Sequence, residues 1–297
     1  MRMPAITLLQ WQKRFATEYA CAQFLLKLRW PDGFQCPACG ARKAYFIASR
    51  RLYQCAHCRH QVSVTADTLF HATKIPLVKW FWAIYLMGSD KGGISVLRAS
   101  KQLGVSWNTA HSMLRKIRQA MAHRDSIYRL SNLIEMDDAL VGGKRCGKRG
   151  RGAEGKRPVL VAVEVRGNKA GFTAMQAVDS ICGTNVAAFL HKHLLAGQTV
   201  KTDALPALNT TGEQHEHLKR VTPPEEANVW LPMVHIMIGN MKQFINGTFH
   251  GVSSRYLQEY LDEFCYRFNR RFWEPQLPLR LLNACLTHIP VRKAEFR

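Results

Sequence analysis

The chain has 297 residues, 47% of them hydrophobic, which suits two or three domains with real cores and excludes a disordered tail. Lysine and arginine number 42 against 21 acidic residues, and the net charge of +21 calls for a polyanionic partner, nucleic acid before an anionic membrane surface. The longest apolar run, Trp80 to Met87, is eight residues against the roughly 20 that span a bilayer. With no apolar leader at the N-terminus, the expectation is a cytoplasmic protein without membrane contact.

Residues 5–30 carry Leu8, Leu9, Trp11, Phe15, Tyr19, Phe24, Leu25 and Leu28 at helical spacing, and the segment ends at the turn Pro31-Asp32-Gly33. Residues 31–66 are short, aromatic and cysteine-rich. Cys36-x2-Cys39 and Cys55-x2-Cys58, fifteen residues apart, have the spacing of a zinc ribbon. Four thiolates with no open position make one structural Zn2+ site, to which no catalysis is assigned. Cys21, Cys146, Cys182, Cys265 and Cys285 are scattered and read as core or surface residues. An odd total in a reducing compartment favours metal over a disulfide framework.

Residues 67–129 return to helical periodicity, broken by Gly88, Gly92-Gly93 and Gly104. Around Gly104 a helix, a turn and a second helix follow one another. Ser106 can cap the second, and Ala110, Met113, Leu114 and Ile117 give it an inner face. Its outer face carries Trp107, Asn108, His111, Arg115 and Arg118, suited to a major groove in a helix-turn-helix; an ordinary helical hairpin is the plain alternative.

From residue 130 to 297 the texture is α/β. Strand-like runs lie at 133–141, 159–165, 172–178 and 198–202, with helices near 184–195, 238–245 and 253–272. Strands first, then alternating helix and strand, predict a mixed sheet with helices on its faces. His215 and His217 fall in a loop between elements. Between the first two strands lies a basic, glycine-rich loop with Lys144, Arg145, Lys148, Arg149 and Arg151, either a strap on the DNA backbone or a solvated loop. Arg149 stands where a phosphate loop needs Ser or Thr, so nucleotide binding is discounted.

Asp137 and Asp138 close an apolar strand and Asp203 closes another. Alternation puts Glu135 on the face of Asp137 and Asp138 on the other. Paired aspartates often only cap a turn, but strand-end carboxylates on neighbouring strands can also share metal ions about 3.5 to 4 Å apart beside a phosphodiester.

Ile134-Glu-Met-Asp137-Asp138, followed by Gly142-Gly143-Lys144 and its basic tail, resembles the opening of the catalytic domain of zinc-ribbon insertion-sequence transposases, the ISXO-like branch of the DDE superfamily. Thr202-Asp203 is similar to that family's second acidic motif, and Val234 to Lys242 to its third. Gly247-Thr-Phe-His250-Gly251-Val-Ser253 and Tyr260 to Arg271 are similar to its C-terminal signature. The resemblance implies a ribonuclease H-like catalytic domain and two Mg2+ ions. It further implies strand cleavage and transfer at terminal inverted repeats and into target DNA, with a homodimer or higher oligomer pairing the ends.

Carried over by position, Asp137, Asp203 and Asn240 are the Mg2+ triad, with Asn240-x-Lys242 as an Asn-and-Lys variant of the third motif. An amide oxygen can coordinate a hard cation but cannot act as a base. Side chains two apart on a helix diverge by about 200°, so Lys242 is expected to reach DNA phosphate. His235 and His250 could assist in binding DNA, although a lone histidine is more often structural. Arg267, Arg270 and Arg271 are available to line DNA. The expected order is a helical segment (1–30), the ribbon (31–66), the helix-turn-helix region (67–129) and the catalytic domain (130–297). A DNA-binding regulator and an inactive transposase-derived protein remain the alternatives.

Overall fold

The structure is a computed structural model that describes residues 3–142, 156–223 and 226–288. It divides into two compact units. One is formed by Met1–Asp90, Val96–Met121 and Trp273–Arg297, the other by Lys91–Ser95 and Ala122–Phe272.

In the first unit, Thr7 and Gln10 form a capping box that starts helix α1 (Leu8–Arg14), and Thr17 caps α2 (Glu18–Arg29). Strands β1 (Ala44–Ile47), β2 (Leu52–Cys55) and β3 (Gln61–Val62) make a small antiparallel sheet in that order. Arg29 fastens the end of this sheet to α2 by donating to the carbonyls of Ser63, Val64 and Ala66. Helix α3 (Leu77–Ser89) has no local side-chain cap; the carboxylate of Glu18 takes the N–H groups of Leu77 and Val78 at 2.9 and 3.3 Å. Trp11, Phe15 and Phe81 then pack edge-on in series, with Tyr85 tilted against Trp11, as its core. Helices α4 (Val96–Leu103) and α5 (Trp107–Asp125) are joined through Gly104, whose φ of +59° suits glycine. Helix α10 (Leu277–Thr287) lies on α3 so closely that a Cβ at Gly88 would sit 2.9 Å from the Pro278 Cα. The sequence reading gave residues 130–297 to one domain. The described part of 273–288 belongs instead to this first unit, because buried Leu277, Leu279, Leu281 and Leu282 complete its core.

The second unit is a five-stranded mixed sheet. Strands β4 (Leu133–Val141), β5 (Arg157–Arg166) and β6 (Lys169–Ala177) pair antiparallel. Strands β7 (Thr199–Asp203) and β8 (Glu216–Arg220) extend it in parallel from β4, giving the order β6-β5-β4-β7-β8. Helix α6 (Gly183–His193) covers Ile134, Met136, Leu160 and Val200 on one face. After the short α7 (Ala227–Trp230), α8 (Pro232–Phe249) and α9 (Leu257–Phe268) cover Val159, Val161, Val163 and Met175 on the other. Strand β8, read from sequence as loop, is an exposed edge strand whose Glu-His-Leu-Lys-Arg shows no apolar alternation.

Candidate metal centres

The four ribbon thiols converge. Cys36 Sγ lies 3.6 Å from Cys58 Sγ and Cys39 Sγ 3.6 Å from Cys55 Sγ, and all four are within 4.8 Å of one another. Zinc–sulfur bonds of about 2.3 Å put the corners of a regular tetrahedron about 3.8 Å apart, so the quartet fits a closed structural zinc. The backbone N–H groups of Cys58 and His57 hold the Cys55 thiol down to about 6, favouring the thiolate that a metal needs.

In the second unit the register of β4 and β7 brings the carboxylates together. Leu133, Ile134 and Glu135 pair in parallel with Thr199, Val200 and Lys201. Asp137 and Asp203 each stand two residues beyond the last pair, on the same face of neighbouring strands about 4.8 Å apart. Burial pushes the Asp137 carboxyl up from 3.8 to a pKa of about 6, and the charges of Asp203 and Asp138 add to the rise. Asp137 Oδ1 accepts from the N–H of Asp138, and Asp203 Oδ1 accepts from the N–H of Leu205, which turns the chain off the strand.

Helix α8 starts directly above them. Its first turn has no local side-chain cap, and Glu135 supplies one from β4, its Oε2 accepting from Met233 N at 2.7 Å and Val234 N at 3.0 Å. Next along the helix, His235 points Nε2 at Asp137 Oδ2, 3.1 Å away. Asn240 is exposed and makes no such approach. Five residues separate it from His235, roughly 140° round the helix and 7.5 Å along it. Lys242, also exposed, lies seven residues from His235, within about 20° of the same stripe. The structure thus joins Asp137 and His235, sets Asp203 beside Asp137, and leaves Asn240 on another face. The seven-residue interval puts His235 and Lys242 on one stripe of the helix, and the two-residue interval puts Asn240 and Lys242 on different faces.

The other candidates divide. Trp107 and Asn108 are exposed at the start of α5, with the Trp107 ring stacked on His111 at 4.9 Å, while His111 and Arg115 are half-buried. Ser106 caps α5 as expected, accepting from Thr109 N. Arg118 is 1% exposed and belongs to the core, not the outer face. Arg267 pairs with Glu263, Arg270 with Asp125 at 2.6 Å, and Arg271 donates to the carbonyls of Gly171, Phe268 and Ala170. His217 meets the Thr202 hydroxyl at 2.7 Å on β8 rather than in a loop, and buried His215 accepts from Gln198 N. Lys144, Arg145, Lys148, Arg149, Arg151 and Cys146 lie outside the described residues. No helix among the described residues is long and apolar enough to cross a membrane.

Residues 16–61 match the transposase zinc-ribbon domain family and residues 129–269 the ISXO2-like transposase domain family. A curated relative, an uncharacterized protein in transposable element ISH50 of Halobacterium salinarum, is 28% identical over 171 residues. The match covers 51% of this chain and 56% of that protein, so the chain spans little more than half of its relative. Among solved structures, a pre-cleavage Mos1 transpososome aligns over 72% of this chain and 79% of its own, at 10% identity and a TM-score of 0.25. A Mos1 mariner paired-end complex with Mn aligns over 66% and 77%, at 9% identity and a TM-score of 0.22.

Proposed function

Because the chain belongs to the insertion-sequence transposases that carry a zinc ribbon and an ISXO2-like transposase domain, we propose that it cuts and joins DNA at the terminal inverted repeats of its element, using Asp137, Asp203 and His235. The observation that carries this reading is the approach of His235 Nε2 to Asp137 Oδ2, on the face that Asp203 shares. The sheet order, with three antiparallel strands followed by two parallel ones, favours a ribonuclease H-like domain.

Asp137, Asp203 and His235 must draw together to share a divalent cation, because among the described residues only the four cysteines bring three or more such ligand atoms within 4.8 Å of one another. Two ligands at adjacent corners of an octahedron with bonds of about 2.1 Å lie about 3.0 Å apart, close to the spacing of His235 Nε2 and Asp137 Oδ2. Burial first, and the neighbouring carboxylates after it, raise Asp137, and a positive ion would favour its charged form. Two oxygen ligands and an imidazole suit Mn2+ as well as Mg2+, since imidazole accepts the softer ion more readily. When bound, such ions activate the attacking oxygen and steady the leaving oxygen of a phosphodiester. Asp137 and Asp203 supply negative charge, and His235 supplies a neutral nitrogen. Lys242, on the stripe of His235, holds a phosphate of the incoming strand. Water attacks first and frees a 3′ hydroxyl, which then attacks a target phosphodiester and displaces another 3′ oxygen.

In this reading Trp107, Asn108, His111 and Arg115 form the reading face of a helix-turn-helix. The basic stretch from Lys144 to Arg151 straps the DNA backbone, and two copies pair the ends. The test is cleavage of a duplex carrying an element end, with Mg2+ and with Mn2+. Wild type and Asn240→Ala cut, while Asp137→Ala, Asp203→Ala and His235→Ala fall to background. Equal cutting by wild type and Asp137→Ala overturns the active site. Loss in Asn240→Ala with retention in His235→Ala returns the third position to Asn240. A chain that binds ends and cuts under neither ion is a regulator.

A further inference from the structure

We infer that the ribbon sheet is a binding surface for unpaired DNA, with Phe46 as a stacking platform and Arg51 and Arg59 as phosphate contacts. The inference rests on DNA being the substrate, as proposed above. Its first support is where the chain accepts backbone strain. The two cysteine knuckles are built alike. Cys36 N donates to Ala41 O at 2.9 Å and Gly40 N to Cys36 O at 2.9 Å, while Cys55 N donates to His60 O at 2.9 Å and Arg59 N to Cys55 O at 3.1 Å. The closing position is left-handed in both, and the first knuckle fills it with Gly40 at φ +74°. The second fills it with the exposed Arg59 at φ +58°, where glycine would cost less. Arg51, exposed at φ +54°, repeats the choice in the turn between β1 and β2. Strain of this kind is kept where the side chain is used.

Charge and aromatic exposure together identify the partner. Residues 31–66 hold Arg42, Lys43, Arg50, Arg51 and Arg59 against one acid, Asp32. All five cations are exposed, and none is in an ion pair with a described carboxylate. Arg42 and Lys43 lead into β1 and Arg59 follows the second knuckle, while Arg50 and Arg51 lie in the turn at the other end of the strands. Between these ends Phe46 pairs with Tyr53 across the ladder, their ring centroids 5.0 Å apart, and Tyr53 is backed by Trp30 at 5.7 Å and Phe34 at 6.1 Å. Phe46 is nevertheless 53% exposed. Held from behind and open in front, its ring offers a face on which a base can stack. Bases in a duplex have their faces covered by their neighbours, so an open ring selects unpaired ones, whereas cations alone would serve either form. Tyr45, 60% exposed, lies on the opposite face of β1 across from Gln54, with no ring behind it among the described residues.

The experiment uses the zinc-loaded full chain and the anisotropy of a labelled single DNA strand of about 16 nucleotides, with its duplex and an RNA of the same sequence in parallel. Phe46→Ala weakens single-strand binding roughly 5- to 150-fold at an unchanged salt slope, leaves duplex binding as in wild type, and is rescued by Phe46→Trp. Arg51→Gly and Arg59→Gly each lower the single-strand salt slope by about 0.7 between roughly 50 and 200 mM salt. Their melting temperatures stay at or above wild type, since glycine suits the left-handed backbone, which separates the cation from the fold. The inference is overturned if Phe46→Ala binds the single strand like wild type, weakens strand and duplex equally, or has a smaller effect than Tyr45→Ala. A wild-type preference for the RNA overturns it as well. If wild type binds neither strand nor duplex, the substrate proposed above falls too. If wild type binds and cuts the duplex while every ribbon variant binds the single strand like wild type, only the role of the ribbon falls.

Discussion

Glu135 caps a helix to which its own strand is not adjacent in sequence. At 2% exposure its carboxylate meets the two N–H groups that begin α8, and burial raises its pKa above the ordinary value although those bonds pull it down. Glu135→Gln keeps the volume but withdraws a charge from a helix N-terminus. A loss of about 1 to 3 kcal/mol is expected in denaturant unfolding, with weaker Mn2+ binding because His235 is the next residue along. Asp262 is raised by burial as well, without a helix N-terminus to offset it. It lines a cavity of about 290 Å3 with Asp125, Lys192 and His193, and burial pushes it from 3.8 up to about 7. The folded chain holds a proton that the unfolded chain releases, so its contribution favours the fold below about 3.8 and is lost as pH rises through about 7. Asp262→Asn should therefore gain stability relative to wild type at pH 8 compared with pH 5, read from melts at both. An equal difference at the two pH values would show that Asp262 ionises normally.

At the scale of elements, the two edges of the five-stranded sheet are treated differently. Strand β6 is covered by side chains of α9 and the residue that ends it. Asn269 pairs with both the N–H and the carbonyl of Thr173, at 2.8 and 3.1 Å, and Gln258 bonds the N–H of Ala177 and the carbonyl of Met175, at 2.8 and 3.1 Å. These amides stand in for a neighbouring strand and blunt an edge that could pair with another chain. Asn269→Ala removes two such bonds, a cost of about 1 to 3 kcal/mol, and should speed amide exchange at Thr173 before the centre of β5. Strand β8 has charged residues instead, which is why it escaped the sequence reading: an exposed edge strand needs no apolar alternation. Helix α10 escaped for another reason. Its apolar face completes a core begun near residue 80, and chain order carries no trace of that return.

For the whole molecule, the net charge of +21 is expected to dominate affinity for DNA. If 6 to 10 phosphates are neutralised, binding of an element end should weaken about 10³- to 10⁵-fold between 50 and 200 mM salt, measured by anisotropy. A flat salt response would remove nucleic acid as the polyanionic partner. Legibility followed the range of the interactions. The thiol quartet was readable because its spacing is local; Asp203 ends β7 as expected, whereas Asp137 lies in the middle of β4 and not at a strand end. His235 was weighed and passed over, because its approach to Asp137 spans 98 residues and rests on a helix start set by Glu135 rather than by a local cap.

The central proposal is that His235 joins Asp137 and Asp203 at the site, where the sequence expectation placed Asn240. Pulsed electron paramagnetic resonance of Mn2+ bound to the full chain tests it most directly. The account predicts an imidazole nitrogen coupling in wild type and Asn240→Ala that vanishes in His235→Ala. A Mn2+ signal without nitrogen coupling in wild type, or one whose coupling survives in His235→Ala, contradicts it.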